Sequence, residues 1–134
     1  MPKKRLISIV DDDESLRKAT KGLIRALGFL AEEFGSAEDF LKFDGLTRTA
    51  CLIADVQMPQ MSGLELYSRL VASGVSIPTI LMTAYPDESV RARALEAGVI
   101  CYMTKPFDKD TLLGCIRAAI DRGEAANGPK DVSD

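Results

Sequence analysis

The chain is 134 residues long, enough for one ordinary domain with its own core and little more. Apolar residues make up 46% and charged residues 28%, the balance of a globular domain rather than of a disordered segment. Acids outnumber bases by 20 to 17, so no basic excess is on hand to neutralise phosphates, and direct nucleic-acid binding by this chain is not expected.

The N-terminal Met-Pro-Lys-Lys-Arg is basic, but the apolar run behind it covers only residues 6–10, too short for a signal peptide or a membrane span. A membrane partner is therefore not expected. Residues 6–10 form the first of five short apolar runs; the others are 30–34, 51–54, 79–82 and 99–103. Each is too short for a helix, and several are rich in Ile and Val, so they read as buried strands.

Between the first two runs, Leu16, Ala19, Leu23, Ile24 and Leu27 recur at helical spacing, and Gly28 stops the pattern. Ser36-Ala37-Glu38-Asp39 reads as a capped helix start, and Ser62-Gly63-Leu64-Glu65 as a capping box. Pro86-Asp87-Glu88 puts proline and acid into the first turn of a fourth helix. Asp108 can cap a last helix that carries Leu112, Leu113, Ile116 and Ile120. Residues 124–134 are polar and contain Gly-Pro, so the domain is expected to span 1–123, with a tail or linker after it.

Strand–helix alternation repeated five times predicts an α/β fold, a parallel sheet with helices on both faces. Right-handed crossovers then bring the carboxyl ends of all strands to one edge, where open α/β sheets place their sites. Cys51, Cys101 and Cys115 are odd in number and lie in apolar stretches, so they read as reduced core residues of a cytoplasmic protein rather than a disulfide framework or a zinc site.

Four strand ends carry chemistry to that edge. After the first strand come Asp11, Asp12, Asp13 and Glu14; at the end of the third sits Asp55; after the fourth come Thr83 and Ala84; after the fifth comes Lys105-Pro106. Phosphate-binding α/β domains put glycine, serine or threonine at the first turn, so that N–H groups hold the anion. Here four consecutive acids would repel a phosphate unless a divalent cation stood between. Carboxylate oxygens with room for water suit Mg²⁺. A carboxylate metal site with a lysine and a hydroxyl nearby is equipped for phosphoryl transfer. With histidine absent and no activated cysteine or serine in the set, the available nucleophile is a carboxylate. Taken singly, the acids could be a solvated helix start, Asp55 a turn residue, Thr83 a helix cap and Lys105 a loop lysine; their joint placement favours a site.

Over residues 5 to 122 the chain resembles the receiver domain of two-component response regulators. The resemblance rests on Ile9-Val10-Asp11-Asp12-Asp13, on Asp55 followed by Met58-Pro59-Gln60-Met61-Ser62-Gly63, on Pro78-Thr79-Ile80-Leu81-Met82-Thr83-Ala84, and on Glu96-Ala97-Gly98 leading to Lys105-Pro106-Phe107. Ser36 to Leu41 and Met61 to Leu66 look most like receivers of LuxR-type transcription factors.

That resemblance implies a flavodoxin-like five-stranded sheet of order 2-1-3-4-5 with five helices. It implies a phosphorelay acceptor rather than a turnover enzyme: Asp55 takes a phosphoryl group from a sensor histidine kinase or a histidine phosphotransfer protein, and loses it slowly. Asp12, Asp55 and the backbone carbonyl of Gln57 would ligate Mg²⁺, for which Mn²⁺ can substitute, with Asp11 acting through water. Thr83, the Ala84 N–H and Lys105 would bind phosphoryl oxygens, and Lys105–Pro106 would be cis. Thr83 and Tyr102 would form the switch that alters the face of the fourth helix, fifth strand and fifth helix, where a partner or a second copy of the chain could bind. Gln57 and Tyr85 would flank the path of attacking water and tune dephosphorylation. Two other readings share the fold: an interaction module whose acidic edge is unused, and a flavodoxin-like electron carrier, which the acidic first turn disfavours.

Overall fold

A computed structural model describes residues 4–127. Five parallel strands form one sheet: β1 (Leu6–Val10), β2 (Leu30–Phe34), β3 (Thr49–Asp55), β4 (Thr79–Thr83) and β5 (Cys101–Thr104), in the order β2-β1-β3-β4-β5. The five helices are α1 (Glu14–Ala26), α2 (Ala37–Leu41), α3 (Gly63–Ala72), α4 (Glu88–Ala97) and α5 (Lys109–Asn127). Among the described residues, no helix is long and apolar enough to cross a membrane.

Strand alternation splits the core into two layers. Ile7, Ile9, Cys51, Ile53, Ile80 and Met82 point to one face of the sheet, where Ile24 of α1 and Leu112, Ile116 and Ala119 of α5 cover them. Val10, Leu52, Ala54 and Leu81 point to the other, against Phe40 of α2, Leu66 and Leu70 of α3 and Ala94 of α4. With both faces covered, the inner strands are apolar at nearly every position, which is why they read as continuous runs rather than as alternating ones. Two polar residues of these strands, Ser8 on β1 and Thr49 on β3, bond to each other through their hydroxyls at 2.8 Å.

Most helix starts match the sequence reading. Ser36 and Ser62 cap α2 and α3, and Ser62 and Glu65 complete the capping box. The Asp108 carboxylate accepts from the Thr111 N–H at 2.7 Å at the start of α5. Some details differ, beyond β3 starting at Thr49 and β4 running through Thr83. Asp87 is not in the first turn of α4 but is its N-cap, accepting from the N–H groups of Ser89 and Val90. Strand β5 begins at Cys101 rather than residue 99, because Gly98 ends α4 at φ +115° and Val99 bonds back to Ala94. The buried side of α1 carries Thr20, while Ala19 is exposed; the Thr20 hydroxyl donates to the Leu16 carbonyl at 2.9 Å, which lets a polar residue occupy a core position. Helix α5 runs on through residues 124–127; the rest of the expected tail, 128–134, lies outside the described residues. Of the cysteines, Cys51 is buried and Cys101 and Cys115 are half-buried, all free thiols. Burial pushes the Cys51 thiol up, and burial with Cys101 beside it pushes Cys115 up to about 12.

Two tight contacts brace the sheet beside its carboxyl edge. A Cβ at Gly63 would come within 2.5 Å of the Asp55 carbonyl oxygen and 3.0 Å of a Leu81 methyl, so α3 starts where only glycine fits. On the other side, Glu33 of β2 collects three cations of α1: Arg17 at 2.7 Å, Lys21 at 3.2 Å and Lys18 at 3.3 Å. Arg17 also donates to the Asp11 carbonyl at 2.9 Å, tying α1 to the end of β1. The Arg17 hydrogen bond is the main reason the Glu33 carboxyl is held down at about 2.

Gly63→Ala is expected to cost about 1–3 kcal/mol, because backbone has to move to admit the methyl; chemical denaturation measures it. Glu33 sits below its ordinary value when folded, so its stabilisation is complete above the ordinary carboxylate range and is lost as pH falls toward the folded value. Glu33→Gln is thus expected to cost about 1–2 kcal/mol at pH 7, and urea unfolding curves of mutant and wild type converge as the solution is acidified below about pH 4.5.

Candidate functional site

Sheet register brings the site together. Val10 pairs with Ala54, Asp55 with Met82, and Thr83 with Thr104, so the next residues on the strand ends stand side by side. Asp11 follows Val10, and Lys105 follows Thr104 with its N–H on the Thr83 carbonyl at 2.7 Å. Four residues between 11 and 105 in the sequence thereby meet at one edge.

Asp11 is fully buried, and Asp55 is 5% exposed. The Lys105 ammonium lies between them, 2.7 Å from Asp55 Oδ2 and 3.2 Å from Asp11 Oδ2. Each carboxylate has its other oxygen on a backbone N–H: Asp11 Oδ1 accepts from Asp13, and Asp55 Oδ1 from Gln57, both at 3.0 Å. Burial is the largest influence on Asp11 and raises its carboxyl above the ordinary value; the charge of Asp55 adds to this, while the Asp13 N–H and Lys105 oppose it. For Lys105, burial works against the ammonium, but the hydrogen bond to Asp55 and the two carboxylate charges outweigh it, so Lys105 is raised. The ammonium therefore stays charged wherever the protein is folded near neutrality.

Asp12 is exposed and stands on the solvent side of this pair. One oxygen from each of Asp11, Asp12 and Asp55 can be chosen so that all three lie within 4.8 Å of one another. Three carboxylates against one ammonium leave negative charge in excess, and hard oxygen donors open to water on one side are the set that Mg²⁺ or Mn²⁺ takes. The donor chemistry fits a divalent cation. Asp13, by contrast, caps α1 by accepting from the Leu16 N–H at 3.1 Å, which makes it structural.

Across the strands, the fully buried Thr83 hydroxyl donates to the Gln57 side-chain carbonyl at 2.5 Å and accepts from the Tyr85 N–H at 2.9 Å. The Tyr85 ring is 74% exposed. Tyr102 packs against the layer formed by α2, α3 and α4, and its hydroxyl is buried with no hydrogen-bond partner among the described residues. Such an orphaned hydroxyl costs about 1–3 kcal/mol. The Lys105–Pro106 bond is cis. Contact with Thr83 through the Gln57 side chain was not legible in the sequence, because only the fold brings residues 57 and 83 together.

Residues 7–117 match the family model of the response regulator receiver domain. The chain belongs to that family. The receiver is 41% identical over 115 residues to the response regulator protein TmoT of Ectopseudomonas mendocina, which covers 86% of this chain and 52% of TmoT. It is 34% identical over 125 residues to the transcriptional regulatory protein FixJ of Rhizobium meliloti, covering 93% of this chain and 61% of FixJ. The chain thus spans about half the length of the curated relatives it matches. The crystal structure of FixJ-N superposes with a TM-score of 0.82 at 32% identity, covering 90% of this chain and 96% of that one. The flavodoxin-like order 2-1-3-4-5 is the fold these relatives share, and the likeness to transcription regulators agrees with the LuxR-type motifs.

Removing the ammonium leaves two buried carboxylates facing each other. Lys105→Met is expected to lower unfolding free energy by about 3 kcal/mol in EDTA. Millimolar Mg²⁺ is expected to restore part of that loss, and to do so more than it stabilises the wild type; urea unfolding with and without the metal gives both values.

Proposed function

We propose that this receiver is a phosphoacceptor in two-component signalling, with Asp55 as the acceptor. The observation that carries the proposal is the Lys105–Asp55–Asp11 arrangement: a nearly buried carboxylate held by an ammonium at 2.7 Å, beside two further carboxylates that can share a cation. In a domain of this family that set has a use, because phosphoryl transfer is catalysed mainly by positioning and by neutralising charge.

Asp12, Asp55 and the Gln57 backbone carbonyl would hold Mg²⁺, with Asp11 near it through water. The cation would supply charge neutralisation on the phosphoryl oxygens. The Asp55 carboxylate attacks phosphorus of a phosphohistidine on a sensor histidine kinase or a histidine phosphotransfer protein. A P–O bond forms, the P–N bond breaks, and the imidazole leaves with a proton from solvent. Lys105 moves from the carboxylate to a phosphoryl oxygen, and the Thr83 hydroxyl and Ala84 N–H bind another. Water attack later releases inorganic phosphate, with Gln57 and Tyr85 flanking its approach. The Tyr102 hydroxyl, buried and unpartnered among the described residues, supports a role for that side chain as the mobile member of the switch, since it has little to lose by moving. The switched surface is then the face of α4, β5 and α5, where a partner or a second copy of the receiver binds.

With Mg²⁺ and acetyl phosphate, mass spectrometry is expected to show one added phosphoryl group, labile to alkali and absent from Asp55→Ala. An unmodified wild type under conditions that label another receiver would leave an interaction module of the same fold as the better reading.

A further inference from the structure

Thr83 has one hydroxyl proton, and the structure shows where it goes. The Tyr85 N–H donates to Thr83 Oγ1, and the Gln57 carboxamide oxygen, which can only accept, lies at 2.5 Å, so the hydroxyl donates its proton toward Gln57. The backbone N–H of the same glutamine donates to Asp55 Oδ1 at 3.0 Å. Gln57 therefore touches the acceptor carboxylate with its main chain and the threonine with its side chain, closing a chain of hydrogen bonds from β3 to the start of the β4–α4 loop. A phosphoryl oxygen on Asp55 would need the proton that Gln57 holds.

We infer that Gln57 is a latch on the switch: its carboxamide competes with the phosphoryl group for the Thr83 hydroxyl and so sets how readily the phosphorylated arrangement forms. The inference rests on the phosphoacceptor reading above and goes beyond a role for Gln57 in admitting water. The competition is uneven but real. A hydrogen bond to a charged oxygen is roughly twice as strong as one between neutral groups, so the phosphoryl group wins the proton, yet only after the amide bond is given up. Gln57 is solvent-exposed and water can satisfy its carboxamide once released, which keeps the latch weak enough to open. Because the hold exists only in the unphosphorylated state, it acts as a differential interaction, the one kind that shifts a two-state population. A positioning role follows for Gln57, exerted through Thr83 rather than on the reacting atoms.

The test compares wild type with Gln57→Met, which has similar length and only a weak thioether acceptor, each in Thr83 and Thr83→Val backgrounds. Fluoroberyllate with Mg²⁺ serves as the probe, followed by the Tyr85 amide in ¹H–¹⁵N NMR spectra. Gln57→Met is expected to shift the Tyr85 amide in the metal-free protein and to lower the fluoroberyllate concentration at half-saturation about fivefold, the size of one neutral hydrogen bond. In the Thr83→Val background the same substitution is expected to change nothing, since the bonded partner is gone. An unmoved Tyr85 amide, equal half-saturation, or a gain that persists without the Thr83 hydroxyl would each overturn the latch. A wild type that binds no fluoroberyllate would overturn the phosphoacceptor reading itself, and the latch with it.

Discussion

One ammonium placed between two carboxylates is the contact on which the rest of this receiver turns. Asp11 and Asp55 are pulled from water to within reach of each other, a juxtaposition that like charges resist. Lys105 offsets it, helped by a backbone N–H to each acid. The three groups come from β1, β3 and the end of β5, so the balance of charge holds only when the sheet is in register. A cation at the acids or a phosphoryl group on one of them would change that balance at Lys105.

What surrounds this triad is stiff on one side and looser on the other. Glycine at the start of α3 sits against the Asp55 carbonyl, and Glu33 binds three side chains of α1 while Arg17 reaches the Asp11 carbonyl. Toward β4 and β5 the contacts are of another kind. Thr83 is held by an exposed glutamine, the Tyr85 ring stands in solvent, and Tyr102 buries a hydroxyl that no described residue bonds. A local rearrangement gives up fewer contacts there than on the braced side.

Much of this was legible in the sequence because the relevant signals are local. Short Ile/Val-rich runs locate strands, serine and aspartate before apolar periods locate helix starts, and the residue after each run falls at the sheet edge by geometry. The differences arose where a non-local partner decides the outcome. Thr20 looks polar in the sequence yet is buried because a backbone carbonyl one turn earlier accepts its hydroxyl. The start of β5 depends on how a left-handed glycine turns the chain. Glu33 gives no sign in the sequence that three cations of α1 will converge on it, and Gln57 none that its amide will meet Thr83. The family motifs name the residues; the hydrogen bonds among them come from the fold.

The register that builds the site has a further consequence. Asp11, Asp55 and Lys105 are far apart in the unfolded chain, where their charges neither repel nor attract to any extent. The electrostatic tension at the sheet edge is therefore a property of the native state alone, and whatever relieves it binds the folded form and not the unfolded one. A ligand at this edge works as a clasp across four strand ends, so its affinity is also a gauge of how completely the sheet is closed.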